Sequence, residues 1–90
     1  MALELMLDDT DATSKIFGVV GDLRSWGFFL HSNGGTWALQ ARDPDGHWHS
    51  LPGGEYDATG LFMYQGMPGV MFRFTGGTVG AKIWTFGAYS

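Results

Sequence analysis

The stretch TWALQARDPDGHWHSLPGGEY, residues 36–56, decides the fold class of this chain. From Thr36 to Arg42 apolar residues alternate with small or polar ones, so that Trp37, Leu39 and Ala41 share one side. A period of two is typical of a β-strand with one buried face. The segment therefore predicts a strand whose apolar side faces a hydrophobic core.

A tight turn follows this strand. Asp43 and Asp45 can accept hydrogen bonds from nearby backbone N–H groups, and Pro44 restricts its own φ. Gly46 adopts a positive φ at little cost. We expect residues 47–51 to return as the antiparallel partner strand. The Pro-Gly-Gly run that begins at Pro52 then predicts a break over residues 52–57.

Similar short β-rich segments recur along the chain, separated by turn residues at intervals of about 8–12 residues. No segment shows the helical period over three turns, and the 15 glycines mark turns rather than helices. These features predict an all-β protein, a compact antiparallel β-sandwich or jelly roll of about seven to eight short strands. The predicted strands cover residues 3–7, 15–20, 26–31, 36–42, 47–51, 60–64, 70–75 and 81–88.

The 90 residues predict one small domain. We divide it into an N-terminal arm or edge strand with an acidic turn, residues 1–14, and a single β-sandwich domain, residues 15–90. The last predicted strand is unusual because apolar residues occupy both of its faces. Trp84 and Phe86 lie on one face and Ile83 on the other, which is typical of a strand covered on both sides.

The charge distribution argues against nucleic-acid binding. The formal net charge of −4 lies entirely in residues 1–14, which contain four acids and no base, since the remaining five acids balance the five bases. A nucleic-acid-binding protein needs clustered lysine and arginine instead. We find no signal peptide and no apolar run long enough for a membrane span. The chain has no cysteine, which excludes a disulfide framework, and its low charged fraction of 16% favours an oligomer or a docked component.

His47 and His49 are two residues apart, so in a strand their imidazoles point to the same face. They could bind a metal ion if His31 or Glu55 supplied a third ligand. Because the spacing does not identify that ligand, we predict no metal site and no cofactor. The favoured interpretation is an exposed aromatic and histidine face, with Trp48 pointing inward.

The residue types suggest three further kinds of site. The acidic runs at residues 8–11 and 43–45 could bind calcium, but the favoured interpretation is turn and cap chemistry. Nothing in the spacing of His and Asp pairs a catalytic acid with a base, so we predict that the chain is not an enzyme. Exposed aromatic residues could form a platform for a sugar, although core packing is the simpler role. The candidates are Trp26, Trp37, Trp48, Trp84, Tyr56 and Tyr64.

The second half of the chain carries a series of short motifs in a fixed order. They are Asp45-Gly46-His47-Trp48, Leu51-Pro52-Gly53-Gly54, Pro68-Gly69-Val70-Met71-Phe72-Arg73-Phe74 and Gly80-Ala81-Lys82-Ile83-Trp84. This series, over about residues 34–86, resembles small virion proteins of tailed bacteriophages of the capsid decoration or cement type. The resemblance implies a compact β-sandwich or jelly roll on the phage particle, and it transfers no catalytic or ligand-binding residue.

From this resemblance we expect a structural virion protein that binds and stabilises an assembled phage capsid by burying surface. Its partner would be the major capsid protein lattice, and such a lattice role implies a homo-oligomer, a dimer or trimer. Its location would be the exterior of the capsid, after synthesis in the host cytoplasm. The alternatives are a host-recognition or carbohydrate-binding β-sandwich module, and a head–tail connector or tail subunit.

The N-terminal segment is the expected contact with that partner. Its leucines alternate with other residues, and an edge strand of this kind can add main-chain hydrogen bonds to a neighbouring sheet. The acidic run behind it could face basic groups of a capsid protein. The predicted contact residues are Leu3, Glu4, Leu5, Leu7, Asp8, Asp9 and Asp11.

Overall fold

A computed structural model describes residues 3–8, 10, 12–19, 25–65 and 70–89. These residues form nine β-strands, and no helix occurs among them. The strands are β1 (Leu3–Leu7), β2 (Phe17–Val19), β3 (Ser25–His31), β4 (Gly35–Arg42), β5 (Trp48–Tyr56), β6 (Gly60–Gln65), β7 (Met71–Gly77), β8 (Lys82–Phe86) and β9 (Ala88–Tyr89).

The strands form two antiparallel sheets. Sheet A has the order β1-β8-β3-β6, and sheet B has the order β5-β4-β7-β2-β9. Successive strands alternate between the sheets, except that β4 and β5 form a hairpin within sheet B. With eight main strands in these two orders, the fold is a jelly roll. The predicted all-β sandwich is therefore confirmed, with the short β9 as an additional strand.

An aromatic cluster fills the space between the sheets. The ring of Phe17 lies 5.3 Å from that of Trp26 and 5.7 Å from that of Phe74, and the rings of Phe28 and Phe74 are 4.7 Å apart. Each of these four side chains is almost completely buried. The inward positions predicted in β4 are confirmed, because Trp37, Leu39 and Ala41 are in this core, which also contains Phe72 and Phe74 of β7.

The β4–β5 hairpin has the predicted turn but a longer second strand. The backbone N–H of Gly46 donates to the carbonyl of Asp43 at 3.0 Å, and Gly46 has a φ of 89°. The break predicted over residues 52–57 is wrong, since β5 continues to Tyr56. The register shifts between Gln40, which faces Ser50, and Ala38, which faces Glu55, so β5 pairs with β4 again beyond the Pro-Gly-Gly run.

The last predicted strand, residues 81–88, is divided at Gly87. This glycine has a φ of 79°, a conformation that other residues seldom adopt. The change of direction there lets β8 lie in sheet A while β9 pairs with β2 in sheet B. The alternation of residues 81–88 cannot reveal that the chain passes from sheet A to sheet B, because the residues before and after Gly87 are both typical of strands.

Candidate functional site

The outer face of sheet A is apolar across all four of its strands. Leu5 pairs with Trp84, Trp84 with Phe29, and Phe29 with Leu61, which makes one continuous row across the sheet. A second row beside it contains Leu3, Phe86, Gly27 and Met63. We call this surface the apolar face, and its side chains are those of Leu3, Leu5, Phe29, Leu61, Met63, Trp84 and Phe86.

These side chains remain accessible in the chain. Leu61 and Met63 are 54% and 56% exposed, and Phe29 is 40% exposed. The ring of Phe86 lies 6.0 Å from that of Phe29 and passes over Gly27, where a Cβ atom would overlap it. The largest contiguous apolar patch of a typical monomer covers about 300–600 Å² and is often a functional site. Polar groups occur at one end of the face, where His31 pairs with Lys82.

The predicted N-terminal contact residues contribute only in part to this face. β1 is an edge strand of sheet A, and Leu3 and Leu5 are exposed on the apolar face. Leu7 instead packs in the core beside Met6, so its side chain is not available to a partner. Glu4 is half-buried, and Asp8 is exposed beside a cavity of about 430 Å³ between β1 and residues 13–15. Asp9 and Asp11 lie outside the described residues.

Five residues of the apolar face were not predicted as contacts, namely Phe29, Leu61, Met63, Trp84 and Phe86. Part of the information was present in the sequence, because β8 has apolar residues on both faces. The structure shows that Ala81 and Ile83 are buried inside while Trp84 and Phe86 are half-exposed outside. Within the described residues no strand of the chain lies over this second side of β8.

Asp43 organises the β4–β5 turn and both nearby histidines. Its Oδ1 accepts hydrogen bonds from the backbone N–H groups of Asp45 and His47, each at 2.9 Å. Its Oδ2 lies 2.7 Å from Nε2 of His49 and 3.7 Å from Nδ1 of His47. The hydrogen bond with His49, followed by that from the His47 backbone, lowers the pKa of the Asp43 carboxyl below its usual value. The turn chemistry proposed for this aspartate is therefore observed.

A metal site does not form around these histidines in the described part of the chain. His31 lies in sheet A and Glu55 on the outer face of sheet B, so neither adds a third ligand to His47 and His49. No group of three or more potential ligands that could hold a metal ion occurs among the described residues. His49 instead uses its Nε2 to contact Asp43.

The six aromatic candidates for a sugar platform are not brought together on one surface. Trp26 and Trp37 are completely buried, and Tyr56 and Tyr64 pack against the core. Trp84 and Trp48 are half-exposed on opposite sheets. The inward orientation expected for Trp48 is wrong: it pairs with Arg42 on the outer face of sheet B, where the Cζ atom of Arg73 lies 4.3 Å from its ring centroid.

The lowered pKa of Asp43 predicts an acid-sensitive contribution to stability. A carboxyl whose pKa is lower in the folded chain stabilises the fold above its unfolded pKa, and this contribution disappears as the pH falls through the folded pKa. Asp43→Asn keeps an oxygen at Oδ1 but loses the charge. We therefore expect Asp43→Asn to lower the thermal midpoint near neutral pH and to match the wild type once the wild-type carboxyl is protonated.

Thermal unfolding followed by circular dichroism between neutral pH and pH of about 2 tests this, since the interval spans ordinary and lowered carboxyl pKa values. Asp45→Asn is the matched control, because it removes a neighbouring charge and leaves the hydrogen bonds of Asp43 in place. A constant difference between Asp43→Asn and the wild type over the whole range would exclude the charge as the cause.

The described part of the chain contains no helix long and apolar enough to cross a membrane. No protein-family model, curated protein or solved structure matches the chain. The resemblance to phage virion proteins therefore rests on the sequence motifs.

Proposed function

We propose that this chain is a structural protein that docks through its apolar face on a larger protein assembly, and that this assembly is the capsid of a tailed bacteriophage. The observation that carries the proposal is the accessible row of Leu5, Trp84, Phe29 and Leu61 across sheet A. Burial of such side chains stabilises a contact by roughly 25 cal/mol per Å² of apolar surface removed from water.

The size of the apolar face favours a large partner over a second copy of the chain. The two rows span three residues along each of the four strands, which makes a face of roughly 19 Å by 10 Å, or about 200 Å² in projection. A stable protein–protein contact buries about 800 Å² on each partner. A partner with a broad surface, such as a capsid, can contact the flanking edges of the sandwich as well as this face and can therefore bury more area.

One of those flanking edges is the open side of β1. The strand pairs with β8 on its inner side and ends the order of sheet A on its outer side. A partner strand could add main-chain hydrogen bonds along this edge, although the carbonyl of Met6 already accepts one from the Lys15 N–H at 2.8 Å. β1 therefore remains a contact element in this proposal, and Leu3 and Leu5 are the side chains that it contributes to the apolar face.

Two further considerations support a virion role. Jelly rolls are the architecture of many viral capsid proteins, although a fold does not assign a function. The motifs over about residues 34–86 resemble those of phage decoration proteins. A protein that binds the assembled capsid and not its free subunits stabilises the capsid by mass action, which needs no catalytic residue or cofactor.

The test is the number of copies of this chain in particles purified from the phage or cell that encodes it. Quantitative mass spectrometry of gradient-purified particles is expected to find this chain in simple proportion to the most abundant shell protein. Its presence at only a few copies per particle would indicate a connector or tail subunit instead. Its absence from particles would contradict the virion proposal.

A further inference from the structure

The outer face of sheet B carries a cluster of two arginines and one tryptophan. Arg42 on β4 pairs with Trp48 on β5, and Arg73 lies on β7, the next strand of the sheet. The Cζ atoms of Arg42 and Arg73 lie 5.7 Å and 4.3 Å from the centroid of the Trp48 ring. Both guanidinium groups therefore interact with the same indole.

Besides its contact with Trp48, the Arg73 side chain is ordered by a hydrogen bond to Gln40. Its Nε donates a hydrogen bond to Oε1 of Gln40 at 2.8 Å, and Nε2 of Gln40 lies 3.5 Å from Oγ of Ser50. This hydrogen bond uses only Nε. The two terminal nitrogens of the guanidinium have the geometry to bind both oxygens of one carboxylate. Because the side chain is already ordered, a ligand loses less conformational entropy in binding it.

Neither arginine has a carboxylate partner within the described residues. The ion pairs that occur there are those of Asp43 with His47 and His49. Arg42 and Arg73 thus present two positive charges on one surface of a chain whose net charge is −4. Arginine and tryptophan are also among the residues that contribute most to protein–protein binding energy.

We propose that Arg42, Trp48 and Arg73 form a binding site for an extended acidic segment of a partner polypeptide. In an extended chain, residues i and i+2 point to the same side and are about 6.8 Å apart. Both Cζ atoms lie within 5.7 Å of one centroid, so the two guanidiniums are at most about 10 Å apart, a range that includes this spacing. The site is on the sheet opposite the apolar face, so it does not depend on the proposed function.

A titration of the ¹⁵N-labelled chain with hexaglutamate tests the site, with hexaglutamine as the neutral control. Hexaglutamate is expected to shift the resonances of the Trp48 indole N–H and the Arg73 Nε–H, and added salt is expected to weaken its binding. Arg73→Lys keeps the charge but loses the planar group, so we expect affinity to fall about fivefold or more. Gln40→Glu should have a similar effect, because its carboxylate would pair with Arg73 and compete with the carboxylates of hexaglutamate.

Lys82→Met is the matched control, since it removes a positive charge from sheet A, and its affinity should equal that of the wild type. Equal losses in Arg73→Lys and Lys82→Met would overturn the proposal, because they would show attraction to net charge and not to this site. Shifts of Trp48 by oligogalacturonate without any by hexaglutamate would also overturn it, in favour of an acidic saccharide.

Discussion

Phe74→Ala is expected to destabilise the protein by about 3–5 kcal/mol, the usual loss when a buried phenylalanine is truncated. Phe74 is completely buried, and its ring lies 4.7 Å from Phe28, 5.7 Å from Phe17 and 6.4 Å from Trp26. A chain of this length has a total stability of about 5–13 kcal/mol. The substitution therefore removes a large part of the free energy of unfolding.

Urea denaturation followed by tryptophan fluorescence measures this loss. Phe29→Ala is the matched control, because it makes the same truncation on the apolar face, where the side chain is 40% exposed. We expect a loss of less than about 1.5 kcal/mol for Phe29→Ala, since much of that side chain has no contact to lose in the free protein. Equal losses for the two variants would contradict the assignment of Phe74 to the core and Phe29 to the surface.

Phe29→Ser combined with Leu61→Ser is expected to abolish most docking while the chain stays folded. The two residues are neighbours across β3 and β6 in the central row of the apolar face. If a partner completes their burial, the double substitution removes about 1.5–3 kcal/mol of apolar contact, which lowers affinity at least about tenfold. Co-sedimentation of the labelled variant with particles stripped of the native chain measures the effect.

The control for this experiment removes a similar amount of exposed apolar surface elsewhere. Ile16 and Val79 are 41% and 49% exposed, and neither lies on sheet A. The variant that combines Ile16→Ser with Val79→Ser should co-sediment as the wild type does. Equal weakening of both double variants would show that docking depends on general surface hydrophobicity and not on the apolar face.

Local sequence patterns were sufficient to predict most strands and their buried faces. Residues 3–7 match β1, and Trp37, Leu39, Phe72 and Phe74 face the core because the side-chain period of a strand is two. The patterns failed at Gly87 and at the bulge after Ser50, where the backbone changes direction inside a strand-like run. A glycine permits such a change of direction, but the residues around it have the same composition as those of an uninterrupted strand.

The apolar face could not be predicted because it exists only after four distant segments pair. Leu5, Phe29, Leu61 and Trp84 each belong to a different strand, and one or two accessible apolar residues in a strand are ordinary. The strand order of sheet A places them side by side, and that order depends on non-local pairing. The same reason applies to Trp48, whose partner Arg73 is contributed by another strand.

The β1 strand also shows why a truncation is a poor test of docking. Met6 and Leu7 are in the core, and β1 pairs with β8 along the length of the strand. Deletion of residues 2–11 would expose the edge of β8 and remove core contacts, so lost capsid binding would not distinguish docking from unfolding. Substitutions at Leu3 and Leu5, which are exposed, avoid this difficulty.

Oxidation of Met63 in the free and particle-bound chain tests the docking proposal most directly. Met63 is 56% exposed on the apolar face, Met71 lies on the outer face of sheet B, and Met6 is buried. After brief peroxide treatment, mass spectrometry of the sulfoxides should show Met63 oxidised rapidly in the free chain and protected in particles, with Met71 unchanged and Met6 slow in both states. Equal oxidation of Met63 in the two states, or its protection in the purified chain through dimerisation, would contradict docking of the apolar face on a capsid.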